Sequence, residues 1–450
     1  MAKLKKVPAD CTFPQLAVVL DEARFVASLQ AGLGAAFDGN TIRGLKVKRI
    51  YYKPGRSCRL TFEAKIRTAT GAKGEQFYYG KIVPEPKPAS LFRRAQHAHL
   101  VAPRFGPPVA LLADLGMVVW AYPNDPNLPG LALLADRDAV KATVERDPAA
   151  FGLQAGGTLE ELRSGVGKYV PGQRCGYRYR GIWRTQAGDQ TVQFYGKAYQ
   201  PGLGRGAHDI MVQLMATDAC RSGRLRIPAP YAFDAAADVV WQEMLPGESF
   251  AKEASALDLE VWAGPVASAL AAFHASRLDL GPGLGLSQEL DELAASSAKI
   301  ERAYPQFAAR VAALRQRLNA AVPSLPPVPA GPVHGSFKIS HVFDVGGQAA
   351  FIDFDGAGIG DPTYDVGRFL AHLAVAGLTS KADADAIAAA VERFRTAYSA
   401  GVPWGWPATR VQWYTAALLL SSQAYKCVKR LAPDRVGAIL SAAEAWFPAA

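Results

Sequence analysis

Residues 331–369, GPVHGSFKISHVFDVGGQAAFIDFDGAGIGDPTYDVGRF, constrain the fold of this chain more tightly than any other stretch. His334-Gly335 opens a short loop, Val342-Phe343 is apolar, Gly346-Gly347 permits a tight turn, and Ala349-Ala350-Phe351-Ile352 runs apolar into Asp353-Phe354-Asp355. Two short strands joined by a Gly-Gly turn follow from that pattern. Such a hairpin brings the loop before its first strand beside the acidic pair after its second, so polar residues far apart in sequence face one small volume. Alone, an Asp-Phe-Asp triplet reads as a turn or a helix N-cap. With the loop and the hairpin in front of it, the same triplet has the layout of a site for a metal ion and phosphate groups.

On these residues the segment resembles the aminoglycoside phosphotransferase and choline kinase group of protein-kinase-like enzymes, whose pattern is H-G-D-x-x-x-x-N, a hairpin, I-D-[FW], then G-D-P-x-Y-D. His334 and Gly335 match the first two letters, Ser336 stands where the family has its catalytic Asp, and His341 stands where it has a metal-binding Asn. Asp353 matches the metal-binding Asp, while Asp361-Pro362 and Tyr364-Asp365 match the element that supports the catalytic loop. Lys338 occupies the place where protein kinases carry a lysine that reaches the transferring phosphate. Residues 267–274, ending in Phe273-His274, are similar to a family helix that ends L-x-x-L-H, with Phe273 for the second Leu.

The resemblance implies an α+β, bilobal protein-kinase-like fold with an antiparallel-sheet N-lobe and a mainly helical C-lobe. It implies ATP or another nucleoside triphosphate, Mg2+ or Mn2+, and a small-molecule acceptor as ligands. Catalytic roles are expected at His334, Ser336, Lys338 and Asp355, and metal binding at Asp353 and His341. A serine hydroxyl is nearly un-ionised at neutral pH and is no carboxylate base; Asp355 is close enough to Asp353 to add a carboxylate to the metal or to act as substitute base.

The first half of the chain contains an internal repeat. Lys53-Pro-Gly-Arg-Ser-Cys58 through Gln76-Phe-Tyr-Tyr-Gly-Lys81 is echoed by Val170-Pro-Gly-Gln-Arg-Cys175 through Gln193-Phe-Tyr-Gly-Lys197, with strand-like alternation between the marks in both copies. Met117-Val-Val-Trp120 likewise parallels Asp238-Val-Val-Trp241. A long unit that occurs twice points to duplication of a domain-sized element, since solenoid repeats are shorter and more numerous. The expected organisation is an N-terminal helical segment (1–44), a first N-lobe-like repeat (45–125), a linker with a helix (126–160), a second N-lobe (161–246) and a helical C-lobe (247–450). The second copy adjoins the C-lobe in sequence and is assigned as the nucleotide clamp.

In that assignment Lys197 suits the strand lysine that holds the α- and β-phosphates. Gln213, on a helix expected over 207–219, stands nearest the place of the glutamate that pairs with it. Glu243 and Leu245 fall in a segment resembling the hinge that offers backbone groups to adenine. Pro171-Gly-Gln-Arg-Cys175 is either a structural turn or a turn whose N–H groups and Arg174 meet phosphates. Lys81 has no following catalytic segment of its own, so the first copy is expected to cap or dock, with a second ligand site as the other reading. His208 and His372 lack ligand spacing and read as surface or satisfied core residues.

With 450 residues, half of them hydrophobic, the chain is long enough for more than one core. No 18-residue apolar run is free of charge, and Met1-Ala-Lys-Leu-Lys-Lys6 is not followed by an apolar signal region, so a cytoplasmic, non-membrane protein is expected. Five scattered cysteines without a C-x-x-C pair argue for reduced thiols. The net charge of +10 is not concentrated in a basic arm, so the field suits anionic small ligands and not nucleic acid. Residues 12–37, 290–318 and 384–392 carry helical periodicity, with Pro305 a break, and the run from Val411 to Cys427 is apolar enough to be buried. Two functions stand open: an ATP-dependent phosphotransferase acting on a small-molecule hydroxyl, and a pseudokinase that keeps a nucleotide pocket or its remnant as a switch or scaffold.

Overall fold

A computed structural model describes residues 6–9, 11–247, 249–250, 259–378 and 384–449. The chain divides into a sheet unit (Met1–Arg205, Tyr231–Gln242, Lys429–Ala432) and a helical unit (Gly206–Pro230, Glu243–Val428, Pro433–Ala450). The expected α+β class is thus observed, with antiparallel sheets early in the chain and helices late.

Alternation in the repeated segments produces two five-stranded antiparallel sheets in the sheet unit. The first contains β1 (Thr41–Lys53), β2 (Ser57–Arg67), β3 (Lys73–Ile82), β4 (Val109–Leu112) and β5 (Met117–Ala121) in the order β1-β2-β3-β5-β4. The second contains β6 (Thr158–Val170), β7 (Arg174–Thr185), β8 (Gly188–Tyr199), β9 (Pro230–Asp234) and β10 (Val239–Glu243) in the matching order β6-β7-β8-β10-β9. Both sheets and the linker helices Gly130–Ala135 and Arg137–Arg146 contribute to one apolar core that includes Trp120, Leu131, Val140, Trp183 and Trp241. Tyr79 stacks on Trp120 in the first sheet with ring centroids 5.0 Å apart, and Tyr179 stacks on Phe194 in the second at 5.0 Å. The glycine of each Tyr-Gly-Lys motif makes room for this packing. A Cβ at Gly196 would fall 2.6 Å from Leu134 and 2.7 Å from the Trp241 ring; at Gly80 it would fall 2.9 Å from Met117 Sδ.

The N-terminal helix expected over 12–37 is instead two helices, Leu16–Val19 and Glu22–Leu33. Asp21 breaks it: its extended backbone and its carboxylate, which accepts the Arg24 N–H at 3.1 Å, start the second helix anew. The helix expected over 207–219 likewise forms as Gly204–Met215 and Asp218–Arg221, the latter capped by Thr217.

In the helical unit the Gly346-Gly347 turn, with φ of 62° and 88°, joins β12 (Val342–Val345) to β13 (Gln348–Phe351), the hairpin read from sequence. A second ribbon pairs β11 (Gly331–Val333) with β14 (Gly358–Gly360). Pro305 separates helices Leu286–Ala303 and Ala308–Ala321 as expected. Phe273, Phe337, Phe351, Phe354, Phe369 and Phe394 fill the core beneath the hairpin and the helices Leu259–His274, Pro362–Gly377 and Ala384–Gly401. No helix among the described residues is long and apolar enough to cross a membrane.

The apolar run ending near Cys427 is not one regular helix. It forms Ala408–Leu418, a π-helical turn Leu419–Ala424, and Tyr425–Arg430. The turn faces Ser421 toward Glu289, whose carboxylate accepts the Ser421 hydroxyl at 2.6 Å in the core. Burial pushes the Glu289 carboxyl up to about 7, against the opposing pull of Ser421 and Arg368. Protonated Glu289 therefore contributes stability that is complete below the unfolded value near 4.5 and is lost as pH rises through about 7. Glu289→Gln is expected to remove a decline of up to about 3 kcal/mol between those pH values. Urea denaturation of both proteins at pH 5 and 7.5 checks this, and an undiminished decline in the variant would contradict it.

Candidate functional site

The site is built from the first turn of helix Pro362–Gly377. Pro362 begins the helix and Asp361 caps it: Asp361 Oδ1 accepts the Thr363 N–H at 3.0 Å and the Thr363 hydroxyl at 2.6 Å. Its other oxygen accepts Arg410 Nε–H at 2.7 Å and the Tyr414 hydroxyl at 2.8 Å, so the cap is anchored to helix Ala408–Leu418. Asp365, fully buried one turn later, receives the backbone N–H groups of His334 and, at 3.0 Å, Gly335. His274 Nε2 lies 3.2 Å from the same carboxylate, and the Tyr398 hydroxyl meets His274 Nδ1 at 2.8 Å. The D-P-x-Y-D element and the end of helix Leu259–His274 thus fix the backbone of the loop that starts at His334.

Gly335 is required by that loop. Its φ is +70°, and a Cβ would fall 2.2 Å from the Gly356 carbonyl oxygen. Both a left-handed backbone and a backbone-to-backbone contact therefore select glycine. Gly335→Ala is expected to cost about 2 kcal/mol, measurable as a lower midpoint of urea unfolding.

The imidazole of His334 lies in the core against the ring of Phe354, centroids 4.7 Å apart. Its Nε2–H donates to the Ile352 carbonyl at 3.0 Å, which leaves Nδ1 as an acceptor facing Ser336 Oγ at 3.3 Å. Burial pushes the His334 pKa down. Ser336 Oγ is also 3.3 Å from the Asp353 carbonyl oxygen, so its single proton is shared between two acceptors. In this geometry Ser336 ties the loop to the end of the hairpin.

Asp353 and His341 come together across that hairpin. His341 Nε2 lies 3.1 Å from Asp353 Oδ2, yet neither ring nitrogen of this buried histidine meets hydrogen-bond geometry with a partner. Burial pushes the His341 pKa down to about 3 despite the opposing effect of Asp353. Asp353 takes a left-handed backbone, φ 72°, which aspartate tolerates better than most residues and which directs its carboxylate. An imidazole nitrogen and a carboxylate oxygen side by side fit a divalent cation by donor chemistry. Lys338 is half-buried in the same loop, and Asp355 is exposed in the turn after Asp353.

The remaining expected site residues occupy different surroundings. Lys197 is buried on β8, opposite Gly176 of β7, with Nζ 4.8 Å from the centre of the Tyr199 ring. Arg174 begins β7. In the turn before it, the Gly172 N–H donates to Asp125 Oδ2 at 2.7 Å and Arg59 Nη1 donates to the Pro171 carbonyl at 2.6 Å. Asp125 also accepts the Tyr169 hydroxyl at 2.8 Å, so a carboxylate at the end of the first repeat and a first-sheet arginine hold this turn in place. Gln213 Oε1 accepts the Asp279 N–H at 3.3 Å. The Glu243 carboxylate pairs with Arg226 and accepts the Ala229 N–H at 3.0 Å, and Leu245 is buried. Lys81 is half-buried opposite Arg59, and burial with that neighbouring charge lowers its pKa. His372 meets the Gln423 amide at 3.0 Å.

Sequence reading did not single out Tyr398, Arg410, Tyr414 or Asp125. The first three lie on apolar helical stretches where a polar tip is indistinguishable from a surface group until the helices pack. Asp125 had a weak signal, its place in the Asn-Asp-Pro-Asn turn.

No curated protein sequence matches this chain. Among solved structures, the chain is similar to a choline/ethanolamine kinase family protein from Mesorhizobium loti (16% identity, 60% of this chain and 85% of that one, TM-score 0.42). It is similar to the aminoglycoside phosphotransferase APH(4)-Ia (17% identity, 68% and 96% coverage, TM-score 0.45). It is also similar to the amicoumacin kinase hAmiN in complex with AMP-PNP, Ca2+ and Ami (13% identity, 70% and 97% coverage, TM-score 0.45). The model of the phosphotransferase enzyme family matches residues 176–411, more than half of the chain, from the second sheet through the loop that starts at His334 to helix Ala408–Leu418. By that match the chain belongs to the phosphotransferase enzyme family.

Proposed function

We propose that this protein is a nucleotide- and metal-dependent phosphotransferase that transfers the terminal phosphoryl group of ATP, or another nucleoside triphosphate, to a hydroxyl of a small molecule. The observation that carries this reading is the division of labour among the aspartates of the helical unit. Asp361 and Asp365 make internal hydrogen bonds that shape the loop, and the Asp353 carboxylate lies 3.1 Å from His341 Nε2 at the end of the hairpin. Asp353 and His341 hold the divalent ion, which when bound neutralises phosphate charge. Lys338 and Lys197 are assigned to phosphate oxygens, with Gln213 and Arg174 supporting the nucleotide and Glu243 and Leu245 in the segment that meets the base.

Ser336 stands in the place of the base, but positioning and electrostatic stabilisation carry most of the catalysis in phosphoryl transfer. Asp355, exposed and close in sequence to Asp353, is the carboxylate we assign to receive the acceptor proton. His334 serves the site by holding Ser336 and the Ile352 carbonyl, not by exchanging protons.

A pseudokinase is the second reading, favoured by the engagement of the Ser336 hydroxyl with His334 and the Asp353 carbonyl. Thermal unfolding with ATP and Mg2+ or Mn2+, combined with ADP release over a panel of small alcohols and amino-alcohols, separates the two. A ligand at about 100 times its dissociation constant stabilises by about 2.7 kcal/mol. Stabilisation with alcohol-dependent ADP release is the expected result; stabilisation without turnover gives a nucleotide-binding pseudokinase, and the absence of both effects removes the phosphotransferase and leaves only a nucleotide-free scaffold.

A further inference from the structure

His341 is a buried imidazole: Nδ1 has no hydrogen-bond partner, and Nε2 lies within ion-pair range of Asp353 without meeting hydrogen-bond geometry, in a position that the loop holds in place. Its backbone N–H donates to the Lys338 carbonyl at 2.8 Å, and its own carbonyl accepts the Ile352 N–H at 3.0 Å. The ring of His334 lies beside it, centroids 5.6 Å apart. Leaving a buried polar group unsatisfied costs about 1–3 kcal/mol, so such a group is retained where an occupant satisfies it. The Asp353 carboxylate faces it, with Oδ2 3.1 Å from His341 Nε2. Two atoms each about 2.1 Å from one ion, at right angles to each other, lie about 3 Å apart. The observed separation is that of two adjacent ligands of one divalent cation.

We propose that His341 and Asp353 form a mixed nitrogen–oxygen half-site that selects Mn2+ over Mg2+ as the working ion. The proposal rests on the phosphotransferase reading of this site and adds the identity of the metal. An asparagine in this place would offer an amide oxygen, which magnesium accepts readily. Imidazole offers only nitrogen, which magnesium, a hard ion with reluctant dehydration, takes poorly and manganese tolerates. Among the described residues no group of three or more His, Cys, Asp and Glu side chains is arranged to hold a metal ion, so two protein donors make a half-site and not a cage. Nucleotide phosphates and water complete the coordination shell, and tight metal binding requires nucleotide.

Electron paramagnetic resonance of Mn2+ titrated into the full-length protein with ADP, followed by competition with Mg2+, tests the selectivity. Mn2+ is expected to bind the protein–ADP complex at least about tenfold more tightly than Mg2+, after correction for the preference of free ADP between the two ions. Pulsed measurements on the same sample are expected to show coupling of Mn2+ to a histidine nitrogen. His341→Asn is expected to abolish that coupling and return the ion preference to that of free ADP. The preference and the nitrogen coupling of the unmutated protein suffice as a test if the variant fails to fold. Equal corrected affinities without nitrogen coupling would overturn the metal assignment while ADP binding left the phosphotransferase reading in place. No ADP binding with either ion would overturn both.

Discussion

Asp365→Ala is expected to lower the free energy of unfolding by about 4 kcal/mol, a larger loss than that of Gly335→Ala in the same loop. The carboxylate is fully buried and accepts two successive backbone N–H groups, those of His334 and Gly335, with His274 Nε2 3.2 Å from one of its oxygens. Alanine leaves both amides unsatisfied in the core and opens a small cavity beneath the loop. Neither amide can turn to solvent, because Gly335 is pressed against Gly356 and His334 is held through its ring. Asp365→Asn keeps the shape but turns an amide NH2 toward one of the donors, so it is expected to fall between the two. Urea denaturation measures the series, and a loss below about 1 kcal/mol for alanine would show that the carboxylate does not organise the loop.

Asp353→Ala has the opposite signature. It is expected to cost less stability than Asp365→Ala, because the Asp353 side chain keeps 12% exposure whereas Asp365 is fully buried. Turnover is expected to fall by about a thousandfold, equivalent to about 4 kcal/mol of lost transition-state stabilisation, since the proposed half-site would lose the Asp353 carboxylate. Steady-state ADP release under saturating Mn2+ measures it. A companion Asp355→Ala separates the roles of the two acidic residues: loss of metal affinity is expected only for Asp353, and an altered pH–rate profile only for Asp355. Unchanged turnover in both variants would remove this acidic pair from the chemistry.

Much of the helical unit was legible in the order of its letters. The Gly-Gly turn, the apolar Ala-Ala-Phe-Ile strand, the Asp-Pro start of a helix and the Pro305 break each depend on local backbone preferences. The two sheets were legible for a similar reason, since alternation and repeated Tyr-Gly-Lys marks set strand positions. The N-terminal segment was read as a single helix because its apolar spacing continues past Asp21, and only the capping geometry shows that the chain restarts there. The clamp that the first repeat places on the Gly172 turn is not legible in the sequence: Asp125 and Arg59 are 47 and 113 positions from it.

The family of this chain, its antiparallel and helical elements, and the altered letters Ser336 and His341 are properties of local sequence, because propensity and motif spacing act over a few residues. What those letters do was decided by packing. Only the folded chain places Asp365 under the loop, turns Ser336 toward His334 and the Asp353 carbonyl, and sets the buried His341 imidazole beside the Asp353 carboxylate. These relations join residues from separate elements, and their energies depend on burial and on distances of a few tenths of an ångström that no periodicity encodes.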